Sequence, residues 1–256
     1  MNIKFGPAGL GPVKDAISNL EEYHNIGLKA CEIAFTYGVY IKEKDALAIG
    51  QAANRLNIQL SIHAPYWINL NSLEKIKQKQ SIHRIMECVK IGDKLDVDTV
   101  VFHAGYYGKS KPEETYENIK NAILAMQDTI KENNWKPRIA PETMGKVNVF
   151  GSIEEISNLA RDTKCSFCID FAHILARYKE NKFELIKEKF PQKHWHCHFS
   201  GIEYSDAGER RHIKTPREAW KVLLGNLPKD KDITIINESP DMMQDSIQGL
   251  KLSKLT

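Results

Sequence analysis

Eight short apolar runs, each followed by a stretch with helical periodicity, frame this chain. IKFG (3–6) precedes VKDAISNLEEYHNIG, CEIAF (31–35) precedes KEKDALAIGQAANRLN, and IQLSIHAP (58–65) precedes SLEKIKQKQSIHRIMECVKIGDKLDV. TVVFHAG (99–105) and RIAPET (138–143) lead into ETYENIKNAILAMQDTIKENN and SIEEISNLARDT. SFCIDFAH (166–173), HWHCHFSG (194–201) and DITIINESP (232–240) lead into KFELIKEKF, PREAWKVLLGNL and MMQDSIQGLKLS. Strands rich in Ile, Val and Phe that alternate with helices build a parallel sheet. Eight such units suit closure better than an open sheet, so the expected fold is α/β, a single (β/α)8 TIM barrel. A chain of 256 residues with no repeat, linker or low-complexity tract is expected to form one domain over 1–256. The longest irregular stretch is expected from Gly201 to Pro216, after the seventh strand.

In a parallel barrel all strand ends converge on one face. Six of the expected strands end in metal-ligand residues: His63, His103, Glu142, the pair Asp170 and His173, His198, and Glu238. The first two strands carry no such tip apart from Glu32. Imidazole suits zinc, and carboxylates suit zinc, manganese or magnesium. One catalytic zinc needs about three protein ligands. With His212 these candidates are too many for one ion, so a multinuclear site with a shared carboxylate is expected at the strand C-termini. Such sites suit phosphoryl displacement. Each residue also has a structural reading, as a hydrogen-bonded histidine or a turn-capping carboxylate. Their joint arrival at one mouth is what favours metal binding.

The motifs H-A-P-Y (63–66) followed by INL, F-H-A-G (102–105), P-E-T (141–143), D-F-A-H (170–173), H-F-S-G (198–201), R-R-H (210–212) and N-E-S-P (237–240) occur in a specific order. In them the chain resembles the endonuclease IV-type apurinic/apyrimidinic endonucleases of the xylose isomerase-like barrel superfamily, over most of its length. That resemblance implies a DNA-repair hydrolase that cuts the backbone 5′ of an abasic site, leaves a 3′-hydroxyl, and uses metal-activated hydroxide. It implies one zinc on His63 and His103 with Glu142 bridging to a second, which Asp170, His198 and Glu238 complete. His173 and His212 would hold a third. Glu142, Asp170 and Glu238 are thereby the candidate catalytic carboxylates. Manganese is an alternative to zinc.

The chain departs from the family pattern at Arg210, which stands where the family carries an aspartate that ligates the third zinc. Arginine stays protonated and cannot ligate zinc. Two firm metals and a weakened third are therefore expected, with Glu209 able to substitute only if the loop is shifted. Arg210 would then be free to contact a phosphate. The second departure follows the second strand, where FTYGVYIKEK (35–44) offers Tyr37 and Tyr40 but no matching arginine.

Basic and aromatic residues interleave in loops after the strand ends, as expected for phosphate contact with base stacking. Tyr66, Trp67, Tyr37, Lys109, Arg210 and Arg211 are the candidate DNA contacts. Tyr106, Tyr107, Arg177, Tyr178, Lys179, Lys214 and Arg217 lie in the same loops. Tyr66 and Trp67 could fill the gap left by an extruded nucleotide. A net charge of +3 is too small to argue a polyanionic partner by itself. The expected partner, double-stranded DNA with abasic sites, thus rests on the loops and the resemblance, which also favours a monomer. Five cysteines without a framework suggest a reducing compartment. With no charged leader before an apolar run and no apolar run near the roughly 20 residues of a membrane span, a cytoplasmic, membrane-free protein is expected. Cys165-x-x-Cys168 is expected to be buried and structural, His24 and His83 to be structural residues of helices on the outer ring, and His196 to be an interior neighbour of His198.

Two rival functions use the same residues. A sugar isomerase or epimerase needs only Glu142, Asp170, His198 and Glu238 on one ion, leaving His63, His173 and His212 surplus. A protein that binds damaged DNA without cutting it would keep the basic loops and lose hydrolysis.

Overall fold

The computed structural model describes residues 2–255. Eight parallel strands form the barrel wall: β1 (Asn2–Pro7), β2 (Ala30–Ala34), β3 (Gln59–His63), β4 (Thr99–Phe102), β5 (Arg138–Pro141), β6 (Cys168–Asp170), β7 (His194–Phe199) and β10 (Asp232–Asn237). The surrounding helices are α1 (Ala16–Ile26), α2 (Glu43–Arg55), α3 (Lys75–Leu95), α4 (Pro112–Glu132), α5 (Ile153–Thr163), α6 (Phe171–Tyr178), α7 (Phe183–Lys189), α8 (Arg217–Asn226) and α9 (Met242–Ser253). β8 (Gly201–Ser205) and β9 (Gly208–Ile213) form a hairpin outside the wall.

The ladders run β1–β10–β7–β6 and β2–β3–β4–β5. Backbone hydrogen bonds link them at both seams: Lys29 N to Phe5 O (3.0 Å) on one side, and Ser166 N to Ile139 O (3.0 Å) and Thr143 N to Cys168 O (3.0 Å) on the other. At the first seam the chains nearly touch. A Cβ on Gly6 would lie 1.8 Å from the Ala30 carbonyl oxygen, so only glycine fits. This arrangement is a (β/α)8 barrel.

Strand periodicity sorts the side chains. On β7, His196 and His198 point into the barrel, while Trp195, Cys197 and Phe199 pack outward under the helices. Trp220 of α8 seats this layer, with its ring against Phe5 and Phe199 at centroid distances of 5.8 and 4.8 Å. Gly249 of α9 makes room for it, since a Cβ there would sit 2.7 Å from the indole.

Two expected elements differ. The run SFCIDFAH is strand only over Cys168–Asp170, and His173 sits in the first turn of α6. Asp170 causes the switch. Its carboxylate accepts the His173 N–H at 2.7 Å, an N-cap that starts the helix there. Most of the stretch expected to be irregular, Gly201 to Pro216, is the β8–β9 hairpin. Antiparallel pairing satisfies its backbone, and Gly208, at φ +103°, closes the tight turn. Among the described residues, no helix is long and apolar enough to cross a membrane.

Candidate metal centre

The expected ligand residues meet at the C-terminal mouth. His63 ends β3, His103 follows β4, Glu142 follows β5, Asp170 ends β6, His198 lies on β7 and Glu238 follows β10. Potential ligand atoms fall into groups within 4.8 Å of one another: His63, His103 and Glu142; Glu142, Asp170, His198 and Glu238; and Asp170, His173 and His212. Glu142 belongs to the first two and is fully buried.

Hydrogen-bond partners decide what these groups lack. His63 Nδ1 lies 2.7 Å from the Ala64 carbonyl, which can only accept, so Nδ1 carries the proton. Its Nε2 then faces Glu142 Oε2 at 3.3 Å, and His103 Nε2 lies 3.0 Å from the same oxygen. His198 Nδ1 is 3.1 Å from Glu142 Oε1 and 3.5 Å from Glu238 Oε2. Asp170 Oδ2 is buried with no hydrogen-bond partner among the described residues. Buried carboxylates crowded against one another and against imidazoles call for positive charge between them, a proton or a metal cation. This donor set fits zinc or a similar divalent ion.

In the absence of a metal ion, protons stand between these groups. Burial alone would raise the Glu142 pKa, but His198, His103 and His173 hold it well below the usual carboxylate range. Burial pushes Glu238 upward, helped by Glu142 and Asp170 and opposed by His198. Burial would lower His63, yet Glu142 raises it to about 9.

Beneath the mouth lies a second polar layer. Glu32 on β2 is fully buried, accepts a hydrogen bond from Ser61 Oγ (2.8 Å), and pairs with His196 Nε2 (3.1 Å). Its other oxygen lies 3.0 Å from His198 Nε2. Glu32 is thus two residues deeper than a tip and sits behind a candidate ligand. The signal for it was a lone acid in an apolar strand. Around the mouth, Asn69 Oδ1 accepts the Asn71 and Tyr106 N–H groups (3.1 and 3.3 Å). Asn71 Nδ2 donates to the Tyr106 and Tyr107 carbonyls (3.0 and 3.1 Å), tying together the loops that carry Trp67 and Lys109. These side chains left no sequence signal beyond the INLN run. Asn237, Ser239 and Asp245 hold the turn after β10, so Glu238 is not needed as its cap.

The candidate DNA residues are distributed unevenly. Tyr37, Trp67 and Tyr66 are 84%, 59% and 51% exposed, with the Tyr66 ring 5.6 Å from that of His103. Tyr40 packs edge-on against Phe35 at 5.1 Å. Lys109 and Arg210 are exposed, and Arg211 is exposed but paired with Glu203 at 2.6 Å. Arg177 and Tyr178 have structural work. Arg177 donates to the Lys146 and Val149 carbonyls (2.6 and 3.0 Å), and Tyr178 Oη accepts from Ile153 N (3.1 Å). Lys179 is likewise bonded to the Ala176 and Ser205 carbonyls. Cys165 and Cys168 are buried free thiols.

Comparisons with known proteins bear on this geometry. A family model described as xylose isomerase-like TIM barrel matches residues 20–232. An uncharacterized protein of Methanocaldococcus jannaschii, MJ0133, is 35% identical over 264 residues, covering 96% of this chain and 95% of the relative. A probable endonuclease 4 of the Aster yellows witches'-broom phytoplasma is 33% identical over 159 residues, covering 58% of this chain and 53% of the relative. The chain thus matches about half the length of that curated relative. Among solved structures, endonuclease IV from Thermus thermophilus superposes with a TM-score of 0.69 at 20% identity, covering 100% and 98% of the two chains. A D-psicose 3-epimerase does so with a TM-score of 0.70 at 14% identity, covering 100% and 99%. At these identities both share the fold and no more.

Proposed function

From a chain that belongs to the xylose isomerase-like TIM-barrel family, and that resembles its endonuclease IV type, we propose a metal-dependent DNA repair endonuclease. The reaction is hydrolysis of the phosphodiester 5′ of an abasic site, leaving a 3′-hydroxyl. The observation that carries this reading is the doubled ligand set, in which Glu142 belongs both to the His63–His103 group and to the Asp170–His198–Glu238 group. A single-metal enzyme has no use for both.

In this reading His63, His103 and Glu142 hold one zinc, and Glu142, Asp170, His198 and Glu238 hold a second. Manganese is the alternative ion. Zinc bound there would lower the pKa of a water to about 7, and either ion would neutralise charge on the attacked and leaving phosphate oxygens. Glu142 sets the spacing of the two groups from a fully buried strand end. Glu32 faces the inner nitrogen of His198 as an ion-pair partner, Oε1 to Nε2 at 3.0 Å, and Nδ1 is the nitrogen turned toward Glu142 and Glu238. Tyr66, Trp67 and Tyr37 offer exposed rings for stacking, and Lys109, Arg210 and Arg211 offer charge to the backbone.

The test is cleavage of a duplex with one tetrahydrofuran abasic analogue, which cannot undergo β-elimination. Zinc-replete protein should cut 5′ of the analogue, and chelator-treated protein should not. Failure to cut by protein of verified metal content sinks the nuclease. A second reading, sugar epimerisation on one ion, is favoured by the compact Glu142–Asp170–His198–Glu238 group, whose carboxylates could shuttle a proton beside a carbonyl. It predicts turnover of ketoses and no need for His63.

A further inference from the structure

We infer that Glu209 completes a third cation site with His173 and His212, and that Arg210 is an inserted residue bulged out of the hairpin. This inference rests on the metal-centre reading above and extends it to a third ion. It also means that Arg210 replaces no ligand.

The hairpin register carries the argument. Glu203 pairs with Arg211 and Tyr204 pairs with Glu209, so Arg210 is skipped and faces no partner residue. That is a β-bulge, with one extra residue on β9. In a regular strand Glu209 and His212, three apart, would point to opposite faces. The extra residue restores a common face. Glu209 Oε2 lies 3.3 Å from His173 Nε2, and the His173 and His212 rings are 5.3 Å apart, while Arg210 is exposed.

The site is built to hold these groups. Glu209 N donates to the Gly145 carbonyl at 3.3 Å, docking the hairpin on the loop after β5. A Cβ on Gly145 would lie 2.7 Å from Glu209 Cβ and 3.1 Å from His173 Cδ2. A Cβ on Gly208 would lie 2.2 Å from the Gly145 oxygen. Both positions exclude any larger residue.

The tautomers follow from the partners. His173 Nδ1 lies 3.0 Å from the Thr143 carbonyl, which can only accept, so Nδ1 carries a proton and Nε2 is the nitrogen that faces the Glu209 carboxylate. Ser200 donates its proton to the Gly201 carbonyl at 2.9 Å. Ser200 Oγ is then the acceptor for His212 Nδ1–H at 2.6 Å, which leaves the His212 Nε2 lone pair free. Two imidazoles whose other nitrogen is anchored, with Asp170 in their ligand group and the Glu209 carboxylate against His173, form a ligand set suited to zinc.

Zinc content tests this without reference to cleavage. Full-length protein, dialysed against zinc and freed of excess, is measured by native mass spectrometry and elemental analysis. Wild type should hold three ions per chain. Glu209→Gln should lose one of them with no change in thermal midpoint beyond the loss of that ion, and His212→Ala should lose the same one. Deleting Arg210 should keep three, because Glu-Arg-His then places both ligands two apart on one face of an unbulged strand. Arg210→Asp should also keep three. Two ions in wild type, three in Glu209→Gln, or two after deletion of Arg210 in a protein that still melts cooperatively would each overturn the inference. Three ions bound without cleavage of abasic DNA would strike the nuclease reading and leave this one standing.

Discussion

The two mouths of the barrel are both polar, yet they balance donors and acceptors differently. At the N-terminal mouth, a cavity of about 630 Å³ is lined by Lys4, Gln59, Asp98, Arg138, His194 and Asp232 among others. There donors meet acceptors: Arg138 bonds Asp98 at 2.7 Å and Lys4 bonds Gln59 at 2.7 Å. At the C-terminal mouth the buried carboxylates meet imidazole nitrogens, and the best-defined of these have the opposite ring nitrogen tied to a carbonyl. The difference teaches that a roomy polar cavity says little by itself. An excess of buried acceptors says much, because leaving them without a cation is costly.

The sharpest way to break the comparison is to remove the shared acceptor. Glu142→Ala should lower cleavage of the abasic duplex by about 10³-fold or more, the scale of losing a preorganised charge-stabilising group. A loss under about tenfold in steady-state rates would end its bridging role.

Next in size is the layer below. Glu32→Gln should weaken zinc binding by about 10- to 100-fold, as losses of ligand-orienting partners do. Isothermal titration should show the deficit in one zinc equivalent only. Unchanged affinity would reduce Glu32 to a packing residue.

A smaller effect separates the mouths by pH. In metal-free protein His63, raised to about 9, binds a proton more tightly than in the unfolded chain. Its contribution is fully present below about pH 6.5 and lost as pH rises through about 9. Thermal melts of chelator-treated protein should therefore lose stability between those values. Zinc-loaded protein should lose less, because the ion replaces the proton. Parallel curves for the two forms would contradict this.

The smallest effect belongs to the opposite end. Arg138→Ala breaks a half-exposed ion pair and should cost no more than about 1 kcal/mol, with zinc content unchanged. A lost ion in that variant would mean that the two mouths are coupled.

Much of this molecule was legible in its sequence. Short apolar runs followed by helical periods mark the wall strands, since a strand buried on both faces shows as a continuous apolar run, and β7, HWHCHF, shows instead as histidines alternating with apolar residues. The candidate ligand residues show because six polar strand ends arriving at one mouth are harder to explain singly than together. Three features did not show. His173 looked like part of a strand because local pattern cannot reveal that Asp170 caps a helix at that point. Glu32 looked like a tip because depth along a strand depends on the stagger of the barrel. Arg210 looked like a substitution because a one-residue bulge is invisible until the opposite strand supplies the register.

By itself, then, the sequence determined the barrel, the direction of its strands and the identity of the groups at its mouth. These follow from periodicity and burial, which are local properties of the chain. Tertiary structure alone decided which acceptors face each other, which nitrogen of each imidazole is free, and whether Glu209 or Arg210 points inward. Those depend on residues brought together from opposite sides of the wall, as Glu32 and His196 are across 164 positions of chain. No pattern confined to one segment encodes such a distance.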